Sequence, residues 1–371
     1  MKQNGGATHL PDKVEMKGTP SPVQDEDREE LTLIEMGDLQ EKAAERMKYY
    51  LRKSFGQRSI VHKLIKDYPT RPGKGIRPSF CIAACGAVGG DIENALNTAV
   101  TIELLHNSFL IKDDIVDGSD YRRGDVTLNK MYGFELAINA GDALKVLSLL
   151  PLVDNMQVIG VRKALQIILE IQHMASRSVE GQIIELDWIK RNIVPTRYQD
   201  YYRMCTLKTC WYTCITPART GIIVGLKNAS EQQLSAITEF GRTLGIGFQI
   251  RDDVLNLTST FDLYGKEING DIREGKRTLM LIHLINSVTP REKEKIVRIL
   301  EKPRDKKTND EVDYIRGLMN RHGSIDEAMR VSRRFALKAR RVLKNDCTWM
   351  TESNWKDFFL RMTNYLIDRN K

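Results

Sequence analysis

Histidine and cysteine are both scarce in this chain, with 6 of each in 371 residues. Cys81, Cys85, Cys205, Cys210, Cys214 and Cys347 form no C-x-x-C pair, which argues against a zinc ribbon or a dithiol redox centre. Cys81/Cys85 and Cys210/Cys214 lie one helical turn apart among Ile, Ala, Trp and Tyr, so they read as small buried hydrophobes. Proline is limited to 11 residues, which favours helices over many short strands. No apolar run approaches the roughly 18–20 residues that span a bilayer. The start, Met1-Lys2-Gln3-Asn4-Gly5-Gly6, lacks the apolar core of a signal peptide. These absences give the expectation of a cytoplasmic protein without stable membrane insertion.

The composition present is globular, 41% hydrophobic and 29% charged, with a net charge of +8. The basic residues are interleaved with acids and no nucleic-acid motif occurs, so the excess points to small anionic substrates and away from nucleic acid. The basic run Arg333–Leu343 fits an amphipathic helix with a solvated face.

Residues 1–27 are polar and without periodicity, and read as a disordered tail. A helical pattern begins near Asp27. Tyr68–Gly75 reads as a loop, and Ile76 to about Leu110 as two helices parted by Gly89-Gly90-Asp91. Further helices are expected near 134–153, 161–189, 197–226, 231–257, 276–287, 290–301, 309–322, 325–344 and 352–369. No segment alternates with period two. The fold class is all-α: one large helical bundle over 28–371 with its site at the centre.

Two acidic clusters stand out: Asp113-Asp114-Ile115-Val116-Asp117 and Asp252-Asp253-Val254-Leu255-Asn256, 139 positions apart. Both sit inside apolar, helix-like runs, where carboxylates are costly unless a cation meets them. Hard oxygen ligands point to Mg²⁺. On a helix Asp113 and Asp117 share a face, with Asp114 beside them. Arg122-Arg123-Gly124 follows, and arginine forks suit phosphate oxygens. The second cluster is likewise followed by lysines, in Gly265-Lys266 and Glu274-Gly275-Lys276.

The ordered series is Gly73-Lys74-Gly75-Ile76-Arg77-Pro78, Leu104-Leu105-His106-Asn107, the first cluster, Arg122-Arg123-Gly124, Lys208-Thr209, Phe248-Gln249-Ile250-Arg251-Asp252-Asp253, Gly265-Lys266 and Asp271. It resembles the trans-isoprenyl diphosphate synthases, or polyprenyl synthetases, over about 70–345. The resemblance implies that Asp113, Asp114, Asp117, Asp252 and Asp253 hold about three Mg²⁺ ions around an allylic diphosphate, with Asp271 nearby. It implies that Arg122, Lys208 and Lys266 contact that diphosphate, with Lys276 also on the substrate side. Lys74, Arg77, His106 and Arg123 match a metal-free pocket for isopentenyl diphosphate, and Thr209 and Gln249 the reaction centre. The implied reaction is condensation of the two through an allylic carbocation, with released diphosphate as the base. It needs no Ser-His-Asp or Cys-His set, and none is visible. A homodimer is also implied.

Asn256 departs from the family pattern, since an aspartate is usual there. Its neutral oxygen makes a ligand role doubtful. Ser108 and Phe109, just before the first cluster, match positions that floor the product tunnel. They imply a short product, geranylgeranyl diphosphate first and farnesyl diphosphate second. Two other functions share features of this pattern: a class I terpene cyclase, and an inactive regulatory subunit of such a synthase. Lys74 and Arg77 would have no purpose in a cyclase, and the chain keeps five motif aspartates that an inactive subunit would lose.

Overall fold

Helix formation begins earlier than the periodicity suggests. The computed structural model describes residues 22–265 and 267–368. Its first helix, α1 (Pro22–Ser54), starts five residues before Asp27. Residues 1–21 of the expected tail, and Lys266, lie outside the described residues.

Helix α2 (Ile60–Thr70) is capped by the Ser59 side chain and contains Pro69 in its last turn, so the loop expected from Tyr68 begins only at Arg71. Helix α3 (Ile76–Gly86) and helix α4 (Leu96–Asp117) follow, as the Gly89-Gly90-Asp91 break implied. A two-stranded hairpin, β1 (Tyr121–Arg122) with β2 (Asp125–Val126), was not legible in so short a stretch. Next come the short α5 (Leu128–Tyr132), then α6 (Phe134–Leu147) and α7 (Leu149–Val158). Together Phe134–Val158 is long and apolar enough to cross a membrane by length and composition, contrary to the expectation that no such run exists. The stretch escapes notice because single polar residues punctuate it. Here it turns at Ser148 and packs on α4 and on α8 (Val161–Lys190).

The helix expected at 197–226 is three pieces: α9 (Tyr198–Cys205), a π-helix (Thr206–Ile215) and α10 (Thr216–Gly225). Helix α11 (Glu231–Thr258) opens on a capping box. The Ser230 side chain accepts from the Gln233 N–H at 3.2 Å, and Gln233 Oε1 accepts from the Ser230 N–H at 2.9 Å. The short α12 (Phe261–Tyr264) and α13 (Gly270–Glu274) lead to α14 (Leu279–Ser287), α15 (Pro290–Glu301), α16 (Asn309–Arg321), α17 (Ser324–Asn345) and α18 (Asn354–Asp368).

The core explains the cysteines. Helices α3 and α10 pack closely because small residues face each other. A Cβ on Gly221 would sit 2.1 Å from the Cys81 carbonyl oxygen. All six cysteines are free and buried, in line with the hydrophobe reading. Helix α11 lies between α17 on one side and the π-helix on the other, and the π-helix in turn lies against α8. That sandwich brings the second acidic cluster, on α11, across from the first, on α4.

Candidate active site

Segments far apart in sequence enclose one cavity of about 630 Å³. Its walls include Lys74, Arg77, His106, Asp113, Asp117, Arg122, Arg123, Lys208, Thr209, Gln249, Asp252, Asp253 and Lys276. Among the described residues, three expected ones are absent from that lining: Asp114, Ser108 and Phe109.

Asp114 has a different task from its neighbours. Helical geometry turns Asp113 and Asp117 to the cavity and Asp114 away from it. Asp114 is fully buried and accepts from the Tyr68 hydroxyl at 2.6 Å and from Arg122 Nε at 2.9 and 3.0 Å. Arg122 arrives on the β-hairpin, whose carbonyls are held by Arg71. That side chain donates to the Arg122, Asp125 and Val126 oxygens. The guanidinium of Arg122 remains 3.8 Å from Asp113 at the cavity edge.

The second acidic group is tied in a chain. Thr209 Oγ1 donates to Gln249 Oε1 at 2.9 Å, and Gln249 Nε2 donates to Asp253 Oδ1 at 2.7 Å. The Tyr201 hydroxyl donates to the other Asp253 oxygen at 2.7 Å. Asn256 braces the following loop. Its Oδ1 accepts from the Asp271 N–H at 3.0 Å, and its backbone oxygen from the Asn269 N–H at 2.8 Å. The amide at the last motif position thus holds the loop that carries Asp271.

Lysines cross between the two groups. Lys276 Nζ is 3.0 Å from Asp117, 3.5 Å from Asp271 and 2.6 Å from Glu274. Lys208, on the π-helix, pairs with Glu185 of α8 and sits 3.8 Å from Asp113. Gly181 allows this approach, since a Cβ there would lie 2.2 Å from the Lys208 backbone nitrogen. Burial, then the nearby Asp113 charge, push the Asp117 carboxyl up, against the pull of Lys276. Burial and Asp271 likewise raise Asp253. Lys276 is held charged: Asp117, Glu274 and Asp271 outweigh its burial. Crowded, buried carboxylates of this kind favour added positive charge.

At the other end the excess is cationic. Arg77 lies over the Tyr212 ring, 4.5 Å from its centroid, and donates to Thr213 Oγ1 at 3.0 Å. His106 stacks on the same Tyr212 ring, with centroids 5.9 Å apart. Arg123 donates to the Tyr68 carbonyl at 3.0 Å and is 4.0 Å from Glu103. Its pKa is lowered by burial, offset by Glu103, and lowered further by Arg77 and Arg122. Lys74 sits 5.7 Å from the Tyr365 ring on α18. Repelling cations held by aromatic rings and carbonyls are suited to an incoming anion.

Phe109 packs edge-on against Tyr212, with centroids 5.8 Å apart, just behind the lining. Ser108 is buried beside it. Sequence reading missed Glu185, Tyr212, Tyr201 and Arg71. None belongs to a motif, and their partners come from the packing of α9 on α11 for Tyr201, the π-helix for Glu185 and Tyr212, and the hairpin for Arg71.

A family model for polyprenyl synthetases matches residues 58–319. The short chain isoprenyl diphosphate synthase of Methanothermobacter thermautotrophicus is 29% identical over 81% of this chain and 87% of its own length. The geranylgeranyl diphosphate synthase of Methanosarcina mazei is 36% identical over 57% of this chain and 63% of its own. The crystal structure of geranylgeranyl pyrophosphate synthetase from Pyrococcus horikoshii superposes with a TM-score of 0.80 at 27% identity, covering 92% of this chain and 99% of that one. The family match runs through both aspartate-bearing helices and everything between them, so this prenyltransferase belongs to the polyprenyl synthetases, the trans-isoprenyl diphosphate synthases.

Proposed function

We propose that the protein condenses isopentenyl diphosphate with an allylic diphosphate in a Mg²⁺-dependent reaction, giving geranylgeranyl diphosphate first and farnesyl diphosphate second. The observation that carries this reading is the polarity of one cavity: facing carboxylates laced with lysines at one end, and Lys74, Arg77, His106 and Arg123 at the other.

The carboxylate end offers only hard oxygen donors, and Asp117 and Asp253 have their charged forms disfavoured by burial and by their own acidic neighbours, Asp113 beside the first and Asp271 beside the second. That donor set fits Mg²⁺. Among the described residues no three such side chains converge closely enough to hold an ion alone. Diphosphate oxygens would complete the coordination, with Asp113 and Asp117 on one side and Asp252 and Asp253 on the other. Bound Mg²⁺ supplies charge that stabilises the departing diphosphate. Lys208 and Lys276, already charged and aimed between the aspartates, exchange their carboxylate partners for diphosphate oxygens. Arg122 acts mainly by holding the first cluster in place, and Asn256 by holding the loop. The Thr209–Gln249–Asp253 chain fixes polar groups beside the reacting carbons. Aromatic walls at Tyr212 and Phe248 exclude water from the carbocation. The cationic end orients isopentenyl diphosphate so that its double bond meets that carbon.

The test is incubation of purified protein with Mg²⁺, isopentenyl diphosphate and, separately, dimethylallyl, geranyl or farnesyl diphosphate, with products separated by chromatography. Geranylgeranyl diphosphate is expected, and chelation by EDTA should abolish it. Cyclic hydrocarbon formed without isopentenyl diphosphate would show a terpene cyclase. No turnover with any starter would show an inactive partner subunit.

Product length gives a second measurement. Phe109, pressed on Tyr212, closes the wall below Asp113, with Ser108 beside it. Phe109→Ala should move the main product up by one or more isoprene units. An unchanged product profile would remove Phe109 from the floor.

The expected homodimer has a surface to form on. Val161, Leu165, Leu169, Val179 and Ile183 run along α8 with half or more of their surface exposed, apart from Leu165 at 49%. At 100° per residue they fall on one face of the helix, within about 80° of one another. Helix α7 packs alongside and adds Leu149 and Val153, also more than half exposed. A patch of this extent is apolar enough to be an interface. Leu165→Glu combined with Leu169→Glu should halve the mass measured by light scattering, provided the wild type reads as a dimer.

A further inference from the structure

The geometry points to Arg304 as a positioning residue of this prenyltransferase: a strut between the two aspartate-bearing jaws that keeps Lys276 available to the allylic diphosphate. The inference rests on the division of the cavity proposed above.

Arg304 lies outside both acidic motifs, in the 3₁₀ turn Arg304–Lys306 between α15 and α16. Its side chain is only 22% exposed. Nη1 donates to Glu274 Oε1 at 2.7 Å, and Nη2 pairs with Glu267. These two glutamates flank Asp271 on the loop of the second jaw. On the opposite side Arg304 lies against the end of the first jaw. Gly118 caps α4 in a left-handed conformation with φ 63°, and a Cβ there would stand 3.8 Å from Arg304 Cδ. The Glu267 carboxyl also shares a hydrogen bond with Asp120, just past Gly118, and Asp120 pairs with Lys130 at 2.7 Å. The guanidinium thus holds the second jaw while the stem of the same side chain passes beside the end of the first.

The turn beneath it is held in place. Lys307 Nζ donates to the Arg273 carbonyl at 2.8 Å, and Arg273 Nη1 returns a bond to the Lys307 carbonyl at 3.1 Å. Arg304 is therefore presented from a fixed base and does not reach out on a mobile loop.

The consequence for Lys276 follows from charge sharing. Glu274 is nearly buried and holds Lys276 through Oε2 and Arg304 through Oε1. With Arg304 present, Glu274 divides its charge between two cations. Without it, Glu267 would lose its cationic partner beside Asp271, and Glu274 would keep Lys276 as the one cation to grip. A lysine so held is poorly placed to turn to a diphosphate. Isopentenyl diphosphate, bound at the other end, should not sense the change.

Each substrate is varied in turn against wild type, Arg304→Met and Arg304→Lys, with binding of inorganic diphosphate in Mg²⁺ followed by calorimetry. Arg304→Met should raise KM for the allylic diphosphate about tenfold, the loss expected for one misplaced charge-assisted contact. KM for isopentenyl diphosphate should stay within about twofold, and diphosphate affinity should fall by about the same tenfold. Arg304→Lys should recover most of both losses. KM values that rise together, or an unchanged allylic KM with unchanged diphosphate binding, would overturn the role. If Arg304→Met does not fold, Arg304→Lys carries the test, with an allylic-only rise of about threefold expected. A wild type that performs no condensation would instead overturn the functional reading, while the diphosphate calorimetry still decides on Arg304.

Discussion

Asp117→Ala should fold normally and lose at least ~10³-fold in kcat/KM, the scale on which removal of a directed charge-stabilising group is felt. Its carboxylate lines the cavity in the last turn of α4 and is buried among Asp113 and Glu274, so its charge is disfavoured in the fold. Removing it leaves Lys276 with Asp271 and Glu274 still as partners, and no ion is stranded. Stability should therefore change little, while the Mg²⁺ needed for half-maximal activity rises. A melting curve and a Mg²⁺ titration on the same preparation check both halves. Activity within about tenfold of wild type would exclude Asp117 as a metal ligand.

Asp114→Ala, three residues earlier in the same motif, should fail in the opposite way. Here the carboxylate is completely buried and neutralises Arg122, itself only 5% exposed. Its removal strands a buried guanidinium and frees the Tyr68 hydroxyl, a cost of about 3–5 kcal/mol. For a chain of 371 residues that lowers Tm by about 4–6 degrees. Activity would fall because the hairpin and Arg122 shift. The distinguishing result is a double variant. Replacing both partners by apolar groups of similar size removes the stranded charge, so Asp114→Leu with Arg122→Met should regain much of the lost Tm. A full-strength Tm in the single variant would show that the pair contributes nothing to the fold.

The contrast between these two aspartates shows where sequence reading ran out. Spacing alone indicated that Asp113 and Asp117 share a helical face, and both line the cavity. It gave no means to see that Asp114 turns to Arg122, because that depends on a hairpin with two residues in each strand, too short to carry an alternating pattern. Most helices were legible from apolar period and the glycine-bearing breaks between them, as with Gly89-Gly90-Asp91 between α3 and α4. The division of 197–226 was not, since a π-turn has no compositional mark and arises from how α8 and α11 pack on it. Lys208 was recognisable from its place in a motif. Its partner Glu185 was not, because nothing in the sequence of α8 says which of its acids faces inward. Arg304 is the extreme case: an arginine among charged neighbours in a loop, meaningful only once Glu267, Glu274 and Gly118 surround it.

The π-helix has a consequence for how this chain could change by insertion and deletion. A π-turn is an α-helix that has taken in one residue more than its hydrogen-bond ladder needs. Deleting one residue within Thr206–Ile215 would relax the segment to an α-helix and leave α10 almost where it is. The side chains between the deletion and the end of the former π segment would each move by one position, roughly 100° about the helix axis. Lys208 and Tyr212 could then no longer face the cavity together. At this point in the fold the count of residues, and not their identity alone, decides which side chains meet the substrate.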